Sequence, residues 1–177
     1  VIGGDLGLAT GDYAASALDP YLPVTSSRRG GLEREPFMPA LSEAGKRHPI
    51  TSWLAGAEQG ALVELDNFNP TTLRDGGEAP GVALLTGPGG APLLSVAEPG
   101  RGRSLVLSTG ASWRLGFAYD LELIDGSRPY DLLWLGIIRW ALRDASGERL
   151  SVQSDKSEYL PGELVTVSAR TSSASYQ

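Results

Sequence analysis

Gly100-Arg101-Gly102-Arg103, then Ser104-Leu105-Val106-Leu107-Ser108, then Trp113-Arg114-Leu115, then Tyr130-Asp131-Leu132-Leu133-Trp134-Leu135-Gly136-Ile137-Ile138-Arg139-Trp140-Ala141-Leu142: this order decides the fold. A short apolar run bounded by a glycine turn predicts a buried strand. The last stretch predicts a helix. Ser127 is a candidate N-cap, Pro129 lies in the first turn where its missing N–H costs nothing, and Ser146-Gly147 closes the pattern. Leu132, Leu133, Leu135, Ile137, Ile138, Ala141 and Leu142 cover most of its circumference, so the helix is expected to be buried on more than one side. Strand and helix are parts of an α/β unit, and Trp113-Arg114 sits at the tip where such units carry chemistry.

Working outward, residues 82–86 and 92–97 read as strands joined through Gly87-Pro88-Gly89-Gly90, a hairpin. Upstream, Val1-Ile2-Gly3-Gly4 reads as a strand end running into a glycine turn. Residues 20–24 and 48–51 are expected to be extended, because proline disfavours helix in the residue before it. Residues 37–45 and 52–60 predict short helical turns, residues 61–65 a short strand, and residues 26–36 and 75–80 loops. After Gly147 the pattern changes: residues 150–153 and 164–170 alternate with period two, the mark of antiparallel strands with one wet face. The reading therefore divides the chain into an α/β domain over residues 1–148 and the start of a β module over residues 149–177. Because the sequence opens inside a strand and closes in a polar stretch, it is expected to be a piece of a longer protein.

The 177 residues carry a formal net charge of -6, with 41% hydrophobic and 20% charged residues. This balance fits a globular domain and argues against a general nucleic-acid binder, which shows a basic face. No apolar run approaches the length of a membrane span, and no basic-then-apolar leader opens the chain. With no cysteine and a single histidine, His48, the sequence holds neither a thiolate nucleophile nor a two-histidine metal site. No cofactor and no metal are implied.

Taken in order, Val1-Ile2-Gly3-Gly4, Tyr21-Leu22-Pro23-Val24, Gly45 with His48-Pro49-Ile50-Thr51, Gly100-Arg101-Gly102-Arg103, Trp113-Arg114 and Ile138-Arg139-Trp140 carry a resemblance. The set resembles the second half of the class I glutamine amidotransferase-like domains of large bacterial cell-envelope proteins, which often accompany von Willebrand factor A-like segments. The tail from Ser154 to Val167 resembles the start of an immunoglobulin-like or macroglobulin-like β-sandwich. The resemblance implies a partial flavodoxin-like three-layer α/β sandwich followed by a truncated β-sandwich segment. It also implies an extracytoplasmic or membrane-associated location, and partners among other domains of the same polypeptide or an envelope protein. In amidotransferases a cysteine on a strand-to-helix turn works with a later His-x-Glu. After the late strand this chain has Ser108, Thr109, Gly110, Ala111, Ser112, Trp113 and Arg114 instead. The relay is broken, which implies a non-catalytic interaction or scaffold module. The alternative is an amidotransferase or hydrolase whose cysteine lies upstream of Val1.

The candidate interaction surface is Trp113, Arg114, Arg101 and Arg103, since tryptophan and arginine are favoured at interfaces and guanidinium offers a bidentate fork. The plainer reading has Trp113 plugging the sheet end and Arg114 pairing with an acid. His48 is a weak candidate base or ligand; its plainer role is a turn histidine bonded to backbone. The glycine pairs at 3–4, 30–31, 76–77 and 89–90 match no phosphate-binding pattern and read as turns. Asp5, Asp12 and Asp19 read as a solvated face. Glu98, Asp120, Glu122 and Asp125 form the carboxylate cluster nearest the tip, with no separation legible from sequence.

Overall fold

Apolar runs punctuated by glycine turns build the central sheet. In the computed structural model, β4 (Val82–Thr86), β5 (Pro92–Ala97) and β6 (Ser104–Leu107) follow one another, and β2 (Ala40–Leu41) lies beside β4. The order is β2-β4-β5-β6, antiparallel throughout, with Val82 opposite Val96 and Leu94 opposite Leu107. The turn between β4 and β5 needs its glycines: Gly89 and Gly90 have φ of 62° and 77°, a region costly for residues with a Cβ. The structure describes residues 1–4, 7–8, 11, 13, 16–25, 31–55, 61–117, 128–143, 150–154, 160, 162 and 164–171.

The start of the chain adds one parallel link. Ile2 pairs with Leu107; the Gly3 N–H donates to the Leu107 carbonyl at 2.6 Å, and the Leu107 N–H donates to the Val1 carbonyl at 3.0 Å. A separate two-stranded ladder joins β1 (Val24–Thr25) to β3 (Thr72–Leu73). Arg74 secures it: its guanidinium donates to the Leu22 and Asp19 carbonyls and pairs with the Asp19 carboxylate at 3.0 Å. The whole is mixed α/β with antiparallel strands in the majority and few helices.

Both faces of the sheet are covered. All six residues of β5 are buried, as an inner strand requires. On one face Leu84, Leu94, Val96 and Leu107 pack with Ile50, Leu133, Ile137 and Trp140, the last three from α1 (Pro129–Ala141). On the other, Val106 packs with Leu8, Leu22 and Val24. Alternation along β6 makes this division, with Leu105 and Leu107 on the α1 side and Val106 opposite. Each fully buried leucine contributes about 1.5–3 kcal/mol by leaving water. Gly136 lets α1 approach the chain closely, since a Cβ there would lie 3.2 Å from the Ile50 Cα and carbonyl oxygen.

Several local expectations change. α1 opens on Pro129 as expected, but Arg128 holds the N-cap position with no side-chain bond, and Ser127 lies outside the described residues. Only Leu133, Ile137 and Trp140 with Pro129 are buried along it; Leu135 and Ile138 are exposed, so the helix buries one side rather than several. Within residues 37–45 the chain first forms β2, Ala40 and Leu41 finding partners in Thr86 and Leu85, and a single helical turn then follows, its Lys46 N–H donating to the Ser42 carbonyl at 3.0 Å. Residues 48–51 turn rather than extend. The Thr51 and Ser52 N–H groups donate to the His48 carbonyl, and Pro49 occupies the second turn position, where its fixed φ fits. The helix expected over residues 52–60 is described as the 3-10 helix Ser52–Ala55, and of the strand expected over 61–65 only the Leu65 bridge to Phe37 forms.

Beyond α1, β7 (Leu150–Ser154) and β8 (Val167–Thr171) pair antiparallel, Leu150 opposite Thr171. Leu164, Val165 and Val167 are exposed there. The expected boundary at residue 148 lies outside the described residues. Among the described residues no helix is long and apolar enough to cross a membrane.

Candidate functional site

The tip after β6 is built by a hydroxyl and a carboxylate. Thr109, fully buried, donates its hydroxyl to the Asp66 carbonyl at 2.7 Å and accepts the Ala111 N–H at 3.0 Å. This local bond starts the 3-10 helix Ala111–Gly116, as threonine does at turn and helix starts. Ala111, Ser112 and Leu115 face inward. Trp113 and Phe117 face outward, 53% and 60% exposed, with rings edge-to-face at 5.8 Å and 77°. Arg114 pairs with Asp66 at 2.6 Å and lies 5.6 Å from the Trp113 ring centre. An open groove of about 340 Å³ runs between Val63, Glu64, Trp113, Arg114 and Phe117.

Beside the tip lies a buried polar patch where the parallel link ends. Asn69 is fully buried, its N–H donates to the Ser108 carbonyl at 2.8 Å, and its side-chain amide has no hydrogen-bond partner among the described residues. Gly3 packs directly on it: a Cβ at Gly3 would lie 2.9 Å from the Asn69 Nδ2 and from the Ser108 and Thr109 backbone. The Thr71 and Ser108 hydroxyls are 3.4 Å apart. An unpaired buried amide costs about 1–3 kcal/mol.

Arg103 and His48 belong to a different place. Arg103 donates to the Trp140 carbonyl in the last turn of α1, stacks 5.0 Å from the Trp140 ring centre and pairs with Glu98 at 3.2 Å. A cation there complements the helix C-terminus. The His48 ring meets Trp140 edge-to-face at 5.5 Å, and its Nδ1 accepts the Ile50 N–H at 3.3 Å. Burial first, and the Arg103 charge second, lower its pKa to about 4, against a pull from Glu98. His48 is therefore a neutral, packed turn residue. The Arg101 carbonyl accepts from Arg143 at 2.8 Å while its side chain is exposed.

The structure thus divides the four-residue surface expected from the sequence. Trp113 and Arg114 stand beyond the end of β6; Arg101 and Arg103 stand before its start. Asp66, Glu64 and Asn69 complete the tip without having been singled out by sequence. Asn69 falls in Asn67-Phe68-Asn69-Pro70, which reads as a turn cluster, and Asp66, just before it, meets an arginine 48 residues away, which no local pattern signals. Asp5, Asp12, Gly30, Asp120, Glu122 and Asp125 lie outside the described residues. Among the described residues no group of three acidic or histidine side chains is placed to hold a metal.

No family model matches the chain, and no curated protein matches it. Two solved structures share its fold. Cytoplasmic protein STM3548 from Salmonella typhimurium has 19% identity and a TM-score of 0.56; cytoplasmic protein STM1381 from Salmonella typhimurium LT2 has 16% and 0.58. Each match covers 79% of this chain, which spans about half, 53%, of either solved chain. Both are named as cytoplasmic proteins, and that corrects the extracytoplasmic or membrane-associated location expected from the resemblance.

Proposed function

We propose that this chain is a degenerate class I glutamine amidotransferase-like domain, flavodoxin-like in its three layers, that acts as a non-catalytic interaction or scaffold module, its partners other domains of the same polypeptide. The observation that carries the reading is what occupies the segment after β6. Where the resemblance calls for His-x-Glu, the chain has the 3-10 helix Ala111–Gly116. Its arginine is tied to Asp66 and its tryptophan faces solvent. A nucleophile needs a base within hydrogen-bond reach. His48 packs instead on Trp140, beside Arg103 at the start of β6. The parallel link between Ile2 and Leu107, with α1 on one face, is the part that fits a flavodoxin-like arrangement, whereas the sheet β2-β4-β5-β6 itself is antiparallel.

The test is direct. The purified full-length polypeptide, not residues 1–177 alone, is incubated with glutamine, and ammonia and glutamate are followed. A parallel sample meets an electrophilic glutamine analogue and is weighed by intact mass. The expected result is ammonia at the buffer rate and no adduct. Ammonia release above the buffer rate would overturn the reading in favour of an amidotransferase or hydrolase.

A further inference from the structure

Trp113 and Phe117 are held edge-to-face in an open groove, and each presents more than half of its surface to solvent. The charges around them are unequal. The Arg114 guanidinium is committed to Asp66 at 2.6 Å and to the Trp113 ring at 5.6 Å, so that pair is neutral. Glu64 also lines the groove, is exposed, and has no ion pair or side-chain hydrogen bond among the described residues. The groove therefore offers one uncompensated carboxylate beside two exposed aromatic rings.

That combination selects for positive charge. Aromatic faces attract cations, arginine and lysine side chains above all, and a nearby carboxylate adds to the attraction. An anion would meet the Glu64 carboxylate, and the Arg114 charge is balanced by Asp66 through one nitrogen, its buried Nε having no hydrogen-bond partner among the described residues. The groove is shallow and open to solvent, so a long side chain would lie along it rather than be enclosed. We propose that the Trp113–Phe117 shelf docks a basic peptide segment, one lysine or arginine side chain entering the groove with Glu64 as its counter-charge. The stem of such a side chain matches the apolar surface of Val63 and Phe117, and its head matches the rings and the carboxylate. This inference rests on the reading of the chain as an interaction module. It fails separately from it, because a chain that turns over no glutamine can still reject a basic peptide.

The full 177-residue chain is titrated with an acetylated, amidated Gly-Lys-Leu-Lys-Gly peptide. The Trp113 indole N–H resonance, assigned through its loss in Trp113→Phe, reports binding. A saturable shift is expected, with affinity falling as salt rises. Trp113→Ala is expected to weaken binding about tenfold and Glu64→Gln about threefold. Both positions are exposed, so the variants retain the fold, checked by an unchanged amide spectrum away from the groove. Three results each overturn the proposal: no saturable shift up to about 10 mM peptide, equal binding of the counterpart peptide with glutamate in place of lysine, or unchanged affinity in Glu64→Gln.

Discussion

Arg103 and Arg114 stand at opposite ends of β6, and each has the same two kinds of neighbour, a tryptophan and a carboxylate. Arg103 lies 5.0 Å from the Trp140 ring centre and 3.2 Å from Glu98; Arg114 lies 5.6 Å from Trp113 and 2.6 Å from Asp66. The outcomes differ. Trp140 is 7% exposed and Trp113 is 53% exposed. At the start of β6 the cluster closes, because α1 carries the tryptophan into the core and the tryptophan's own carbonyl, in the last turn of the helix, accepts from the arginine. At the far end the arginine is fastened from below by Asp66, and nothing among the described residues covers the indole. One chemistry serves as a clamp in the first place and as an open surface in the second.

Trp140→Ala should do the most damage. Deleting a buried aromatic leaves a cavity and strands Arg103, at a cost of about 3–5 kcal/mol, read from the urea midpoint. Next comes Arg103→Met, which removes the bond to the α1 carbonyl and the ion pair with Glu98. A loss of about 2 kcal/mol is expected, with partial recovery in Arg103→Lys, which keeps the charge but not the fork.

The closed end should also be sensitive to acid. His48 titrates near 6.5 when unfolded and about 4 when folded, so the unfolded chain binds the extra proton between those values. Its contribution is fully present above about pH 6.5 and is lost as the pH falls toward about 4. Partial exposure reduces the effect to about 1–2 kcal/mol. Urea titrations across this window should show stability dropping with acid, and His48→Gln should flatten the slope. A slope that survives in the variant would place the acid sensitivity elsewhere.

The smallest stability effect belongs to the open end. Trp113→Ala should change stability by less than about 0.5 kcal/mol, as surface substitutions do, while removing the peptide response. Should Trp113→Ala and Trp140→Ala prove equally destabilising, the contrast between clamp and surface would not stand.

Much of the scaffold was legible in the chain. Period and punctuation marked β4, β5, β6 and α1, because apolar runs between glycine turns have few other solutions in water. β2 was missed and residues 48–51 were misread because local signals there are weak. Nothing local announces that Ala40 and Leu41 pair with β4, and Pro49 is as good a second turn residue as an extended one. Asp66 and Asn69 look like ordinary turn residues; their partners, Arg114 and the Ser108 carbonyl, arrive from distant sequence.

By itself, the sequence determined that the chain lacks cysteine, carries one histidine, and has Gly110, Ala111, Trp113 and Arg114 after the late strand. Composition and local order settle such matters, since they require no contact. Only the tertiary structure decided that Arg103 braces a helix while Arg114 frames an exposed indole. Both are arginines flanking one strand, and what distinguishes them is that α1 carries Trp140 into the core while the 3-10 helix leaves Trp113 exposed.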